Sequence, residues 1–529
     1  MAGRWRPNPS SRFERARRAC SSFAVNARSK IPLGSLWKLV SYAGLAESGE
    51  QEPPYVCKGV DKEEVYCCGS GERIERGPAL WKSCGPYFAP QRIGWQNLQH
   101  GNTLHALPPS LQTLRNAASL RPETQVPLED WLQWLAAWPA GLRSQVRDDL
   151  LGYWLQGPGR SVLGQVGSQL RVKTFTVQDA HLERMAGASG WTQAGWPIWF
   201  TARGSSAAVL KQWAPVVLAH LERAAPQALQ AQVGEGACVD VQYFARYPLQ
   251  QVLDSKQRAV ASGRLPVGNY EVRFSNGRTL PIRSEGELVY EQNQIRGRLQ
   301  LEDYVARVVQ REGTAQPREA ARALALAARS YLQQNASAAG ACLRIADSSA
   351  TQRVAPRPAS SGALAAAAFS AGVVLGGAPI QFHHTLARPG VMSWSQAVQQ
   401  AQQGLQFDEI LLHAYPLRSF VSMSGHGGAD CEPMPLAQVW LAQQRVRWSR
   451  ALARQDGFHE PGAVQLCRQR SALPSAMVGT QRIHVRGVHA LEDRLSLTHE
   501  YLHLAFAGHP RGQDEQFIES QARQLLGVE

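Results

Sequence analysis

The amino-acid sequence predicts a multi-domain α/β (α+β) protein, and three observations carry that expectation. The chain has 529 residues, too many for one hydrophobic core, which points to roughly two to four domains. Helical apolar patterns and short strand-like runs are mixed along it, as in α/β or α+β chains. Hydrophobic residues make up 44% and charged residues 19%, a globular balance, and no run approaches the ~18 apolar residues of a membrane span.

Residues 1–30 hold eight Arg/Lys and one Glu, half of the net charge of +14. No signal peptide is visible in them, because they lack an apolar segment, and they are expected to form a disordered basic leader. The first block, 31–245, has helical patterns at Trp131–Leu151 and Ala207–Ala224 and strand-like runs at Gln169–Val177 and Pro197–Ala202. Pro and Gly punctuation near Ala261–Gly268 marks a linker over 246–268. In the second block, 269–427, Val272–Phe274 and Leu280–Ile282 flank Asn276-Gly277, a hairpin signal. An Ala-rich helix is expected at about Glu319–Gln334. The third block, 428–529, follows a Gly-rich turn, Ser424–Gly428, and ends in two helices separated by Gly508–Gly512.

Among nine cysteines, Cys57, Cys67, Cys68 and Cys84 crowd together, and Cys431 and Cys467 lie near the C-terminus. Such clustering fits disulfides in an oxidising compartment, and adjacent Cys67-Cys68 lacks the CxxC spacing of a structural zinc knot. The pairing stays open. Beyond the leader, positive charge is spread along the chain instead of forming a stripe, which argues against a nucleic-acid partner.

His499-Glu500-Tyr501-Leu502-His503 places two imidazoles four residues apart, on one face of a helix. That pair can bind one zinc ion, with Glu500 beside it to take a proton from a water on the metal. Asp493 can cap the start of this helix and Gly508 can end it. His509 is a candidate third ligand. The spacing resembles the HExxHxxGxxH metzincins, with Phe506 at their glycine position. Glu515 or Glu519 on the next helix is the alternative, as in Glu-ligand zinc peptidases. The expectation is a small, mostly helical, zinc-metallopeptidase-like C-terminal domain with zinc as cofactor.

Ser35-Leu36-Trp37-Lys38 is an S-x-x-K motif, followed after 48 residues by Ser83-Cys84-Gly85 and after 138 residues by Lys173-Thr174-Phe175-Thr176. A serine and a lysine one helical turn apart share a face, and a desolvated lysine can activate the hydroxyl. The order and spacing resemble the penicillin-binding proteins and serine β-lactamases. The resemblance implies a β-lactamase/transpeptidase-like N-terminal domain with Ser35 as nucleophile, Lys38 as base and Ser83 as proton shuttle. Lys173 and Thr174 would bind a substrate carboxylate. Gly85 and Phe175 depart from the family pattern, and a bulky Phe175 would crowd the strand edge where substrate pairs.

Leu299–Leu332, Ala346–Gln352, Ala371–Leu375, Ala378–His384 and Phe407–Pro416 together resemble the SpoIID/LytB domain of sporulation glycan hydrolases and amidase enhancers. That resemblance implies a SpoIID-like middle domain in which Glu312 is the glycan-cleaving acid/base. Leu386–Pro389 stands where the family has Ser-Gly-Gly. With Val65-Tyr66-Cys67-Cys68 and the zinc helix, the whole chain resembles the predicted secreted proteins of the domain-of-unknown-function 2300 family, some encoded beside bacterial α2-macroglobulins. The expected protein is periplasmic or secreted. It is a peptidoglycan-processing or envelope-defence hydrolase that meets peptidoglycan or cell-wall peptide, with an envelope α2-macroglobulin-like protein as a further partner. A catalytically degenerate cell-wall scaffold and a zinc protease acting on proteins are the alternatives.

Overall fold

A computed structural model describes residues 29–528 except 49–51, 53–54, 62, 65–66, 179–182, 226, 228–237, 341, 377–379, 386–389, 417, 424–433, 463, 469–473, 478–480 and 508. Most of the basic leader, Val65-Tyr66, Leu386–Pro389, the Ser424–Gly428 turn, Cys431 and Gly508 therefore lie outside the described residues. The architecture is mixed helix and sheet, built on three hydrophobic cores.

The first region starts with helices α1 (Trp37–Glu47), α2 (Arg76–Lys82), α3 (Leu128–Ala137) and α4 (Ala140–Leu155). One helix was expected over Trp131–Leu151. It is broken at Trp138-Pro139, because proline drives the residue before it out of the helical region, and Trp138 is extended there (ψ 136°). A tryptophan ladder, Trp131, Trp134, Trp138 and Trp191, fills this core with ring centroids 5.1–5.2 Å apart. Strands β1 (Leu170–Gln178), β2 (Arg184–Thr192) and β3 (Pro197–Arg203) form an antiparallel sheet in that order, and α5 (Ser206–Ala224) packs on it.

Residues expected to belong to the first block or to a linker instead build the middle region. Strand β4 (Cys238–Tyr243) lies between β9 (Gln294–Gln300) and β10 (Cys342–Ala346), antiparallel to the first and parallel to the second. Its alternating burial is that of a sheet with one face on a core. The expected linker 246–268 holds β5 (Leu249–Asp254), which pairs with β6 (Gly268–Phe274). The hairpin forms as read: β6 pairs with β7 (Thr279–Ser284) around Gly277, whose φ is +78°. Strand β8 (Leu288–Glu291) pairs with β9. Helices α6 (Leu301–Glu312), α7 (Arg318–Asn335), α8 (Ser361–Phe369) and α9 (Phe407–Ala414) complete the layer. The alanines of α7 are buried, so its neighbours approach closely.

Both regions share one core. Buried Arg160 pairs with Asp408 at 2.8 Å, and Ser168 and Gln169 each donate at 2.8 Å to carbonyls of the segment after α8 or its last turn. The C-terminal region packs α10 (Pro435–Leu452), α11 (Leu491–Ala505) and α12 (Glu515–Leu526) around strands β11 (Gln465–Arg468) and β12 (Arg482–Val485). Helix α11 starts at Leu491 with Ala490 as its cap, so Asp493 sits in the first turn and does not cap it. There its charge still favours the positive end of the helix.

Disulfides join Cys57 to Cys68, Cys67 to Cys84 and Cys238 to Cys342. Among the described residues no helix is long and apolar enough to cross a membrane.

Candidate functional sites

Three sets of candidate functional side chains are placed by the fold, one per region. The first is assembled from segments far apart in sequence. Gly34 has φ +50°, and a β-carbon there would press on Phe175 Cβ and Val177 Cγ1, each at 3.0 Å. Only glycine fits both demands, and it lets the chain turn against β1. Ser35 follows in a single 3₁₀ turn that runs into α1. One turn later Lys38 points back, its Nζ 3.5 Å from Ser35 Oγ.

Ser83 ends α2 in the left-handed region, φ +67°. That conformation is uncommon for a non-glycine residue and is often found at functional sites. The neighbouring Cys84–Cys67 disulfide tethers it. Lys38 donates to Ser83 Oγ at 3.2 Å and to its carbonyl at 2.9 Å. From the middle of β1, Lys173 donates to the same Oγ at 2.9 Å and to the Thr174 carbonyl at 2.8 Å. Burial pushes the Lys38 ammonium down to about 8, with Glu63 acting the other way. Burial, reinforced by Lys38, holds Lys173 well below the usual lysine range.

Phe175 does not crowd the outer edge of β1. Its ring is 2% exposed and stacks on Trp199, centroids 6.1 Å apart. Side chains alternate along a strand, so Phe175 follows Lys173 to the inner face. Strand β1 pairs only with β2 among the described strands, leaving its other edge beside Gly34.

In the C-terminal region, His499, His503 and Glu515 each offer a donor atom, all within 4.8 Å of one another. His503 Nδ1 donates to the Gly512 carbonyl at 2.9 Å, and His499 Nδ1 faces Glu519 Oε2 at 3.1 Å. Both contacts leave the Nε2 lone pairs pointing inward, 3.1 Å apart. Glu515 closes the third side, 3.2 Å from His499 Nε2 and 3.7 Å from His503 Nε2. Zinc–ligand bonds near 2.0–2.1 Å in a tetrahedron place donors ~3.3 Å apart, so this set fits zinc. Glu519 contacts His499 Nδ1, where it can hold the imidazole in one tautomer.

His509 does not join them. Its Nδ1 accepts the Arg511 N–H at 3.3 Å, capping the turn before α12, and its Nε2 faces Asp456 at 3.6 Å. The ring is seated over Gly457, where a β-carbon would strike it. Burial pushes the Glu500 carboxyl up, while His503 and the Ala476 N–H draw it down.

In the middle region Glu312 ends α6. Its Oε1 accepts the Arg353 N–H at 2.7 Å, and burial pushes its carboxyl up. A second carboxylate, Asp347, acts on it in the same direction. Sequence reasoning matched Asp347 to a family segment and gave it no role. It is buried and accepts N–H groups of Val354 at 3.0 Å and Phe244 at 3.2 Å. Gln352, from the same segment, accepts from Tyr304 and donates to the Ala328 carbonyl.

Comparison with known proteins follows this division. A family model described as Stage II sporulation protein (SpoIID) matches residues 290–368, and one described as Predicted secreted protein (DUF2300) matches residues 390–511. Over 510 residues the chain is 41% identical to YfaQ of Escherichia coli (strain K12), an uncharacterized protein, covering 94% of this chain and 89% of that one. No solved structure matches it. A secreted-type chain with a sporulation-protein module and three described disulfides is a cell-envelope protein. It belongs to the DUF2300 family of predicted secreted proteins, and is accordingly periplasmic or secreted.

Proposed function

We propose that this is a peptidoglycan-processing enzyme of the cell envelope that forms an acyl-enzyme at Ser35. The observation that carries the reading is the convergence of Lys38 and Lys173 on Ser83 Oγ, with Lys38 also reaching Ser35 Oγ. Neutral Lys38 takes the Ser35 proton as Ser35 Oγ attacks a peptide carbonyl carbon. The C–N bond then breaks, and the departing amine receives a proton through Ser83. Lys173, with Thr174 beside it, receives the carboxylate of the substrate peptide. On this reading the first region is a β-lactamase/transpeptidase-like domain. Buried Phe175 removes one ground for regarding it as degenerate.

The zinc helix supplies a second hydrolytic centre, supported by the inward Nε2 pair and Glu515. His499, His503 and Glu515 would hold the ion, which when bound supplies Lewis acidity and lowers the pKa of water. Glu519 orients His499, the Gly512 carbonyl orients His503, and Glu500 accepts the proton of the attacking water. Glu312 serves as the glycan-cleaving acid of the middle region, consistent with its raised carboxyl. Digestion of purified sacculi by the whole chain tests the reading: release of shortened or unlinked stem peptides supports it. Sacculi left intact by protein that takes no label at Ser35 would favour a cell-wall-binding scaffold.

A further inference from the structure

We propose that Glu63 is a substrate-selecting residue of the Ser35 site, and that the acyl donor presents an ammonium or other N–H group beside Gly85. The proposal rests on the acyl-enzyme reading of Ser35 and adds to it a residue and a substrate charge that the motifs do not contain.

Glu63 lies in a short turn fastened to the site. Cys67, four residues on, is disulfide-bonded to Cys84, which follows Ser83, and Cys68 is bonded to Cys57. This staple brings the Glu63 carboxylate over Gly85, where a β-carbon would collide with Oε2 and lie 3.0 Å from Cδ. Gly85 is not among the residues with positive φ, so backbone freedom does not require glycine there. Room for the carboxylate does. The departure from the family pattern at Gly85 and the carboxylate in the resulting space are therefore one feature.

Its electrostatic meaning follows from the neighbours. Ser83 Oγ is approached by two lysines, Lys38 and Lys173. Glu63 is the carboxylate that acts on Lys38. Glu63 is exposed, and no ion pair engages it among the described residues. The site thus holds a carboxylate at Gly85 and two lysine amines at Ser83 Oγ. A substrate matched to it carries a carboxylate toward Lys173 and a cationic or N–H donor group toward Glu63, as a zwitterionic peptide does.

Two β-lactams separate this contact from the rest of the site. Ampicillin carries a free amino group on the side chain next to its amide, and benzylpenicillin lacks it. Acylation rates of Ser35 by both are measured in the whole chain by intact mass spectrometry. The ampicillin-to-benzylpenicillin rate ratio should fall about tenfold in Glu63→Gln, the size expected for loss of one charge-assisted hydrogen bond. It should fall equally in Gly85→Ala, whose methyl displaces the carboxylate. Any change that Glu63 makes to Lys38 affects both drugs alike and cancels in the ratio. An unchanged ratio in both variants overturns the proposal and leaves the Ser35 reading standing. Absence of label from both drugs on the unaltered protein removes the Ser35 reading and this proposal with it.

Discussion

Lys38 and Lys173 meet at one atom, each donating to Ser83 Oγ, at 3.2 and 2.9 Å. Two ammonium ions at that range repel strongly in a dry site, and both lysines are held below their ordinary range by burial. Lys38 must be neutral to take a proton from Ser35. Acylation should therefore be slow below pH 8, rise as the pH passes about 8, and level off above it. Lys38→Met should remove that rise and lower the rate by ~10²–10⁴, the usual contribution of a positioned base. A pH–rate profile of β-lactam acylation checks both, and a profile that is flat from pH 6 to 9 contradicts them.

Phe175 is expected to be structural. Its buried ring stacks on Trp199 and lies under Gly34, so Phe175→Ala should cost about 3–5 kcal/mol of stability, read from urea unfolding. Removing the ring should not speed acylation under conditions where the variant is folded. A faster, equally stable variant would mean that the ring obstructs the site.

The purified protein should carry one zinc per chain, absent in the His499→Ala, His503→Ala double variant. Glu515→Gln should weaken binding strongly. Glu519→Gln, which loses only the partner of His499 Nδ1, should weaken it by ~10–100-fold. His509→Ala should leave affinity unchanged, because His509 faces Asp456. Chelator competition with elemental analysis measures all four, and loss of zinc in His509→Ala alone would reassign the third ligand.

Glu500→Gln keeps the size of the side chain and cannot accept a proton. It should preserve zinc content and thermal stability while abolishing hydrolysis that depends on the metal. Activity equal to that of the parent, with zinc still bound, would make the zinc site structural.

How much of this was legible depended on the range over which each signal acts. The Asn276-Gly277 hairpin and the helix carrying His499 and His503 are local patterns, and the fold forms both elements; the Ser35, Ser83 and Lys173 motifs are short, and the fold brings their side chains together. Strand β2 gave no signal, because Arg-Met-Ala-Gly-Ala-Ser-Gly lacks β-branched residues. It sits between β1 and β3, where side chains at Gly187 and Gly190 would strike the Phe200 and Arg171 carbonyls. Small residues there are a packing requirement that only the neighbours reveal. The first boundary was misplaced for a similar reason: β4 belongs to the middle sheet through long-range pairing and the Cys238–Cys342 disulfide. Glu63 was invisible because its placement over Gly85 comes from cysteine pairing that spacing cannot specify. His509 misled because a matching spacing takes no account of the turn geometry that seats its ring over Gly457.

The central claim is that Ser35 is a nucleophile activated by Lys38. Its most direct test is incubation of the whole chain with a fluorescent penicillin at pH 8.5, chosen to lie above the Lys38 value of about 8, followed by peptide mapping by mass spectrometry. The account predicts one adduct per chain, on Ser35, lost in Ser35→Ala and slowed in Ser83→Ala. An unlabelled chain at high reagent concentration, or label on any residue other than Ser35, contradicts it.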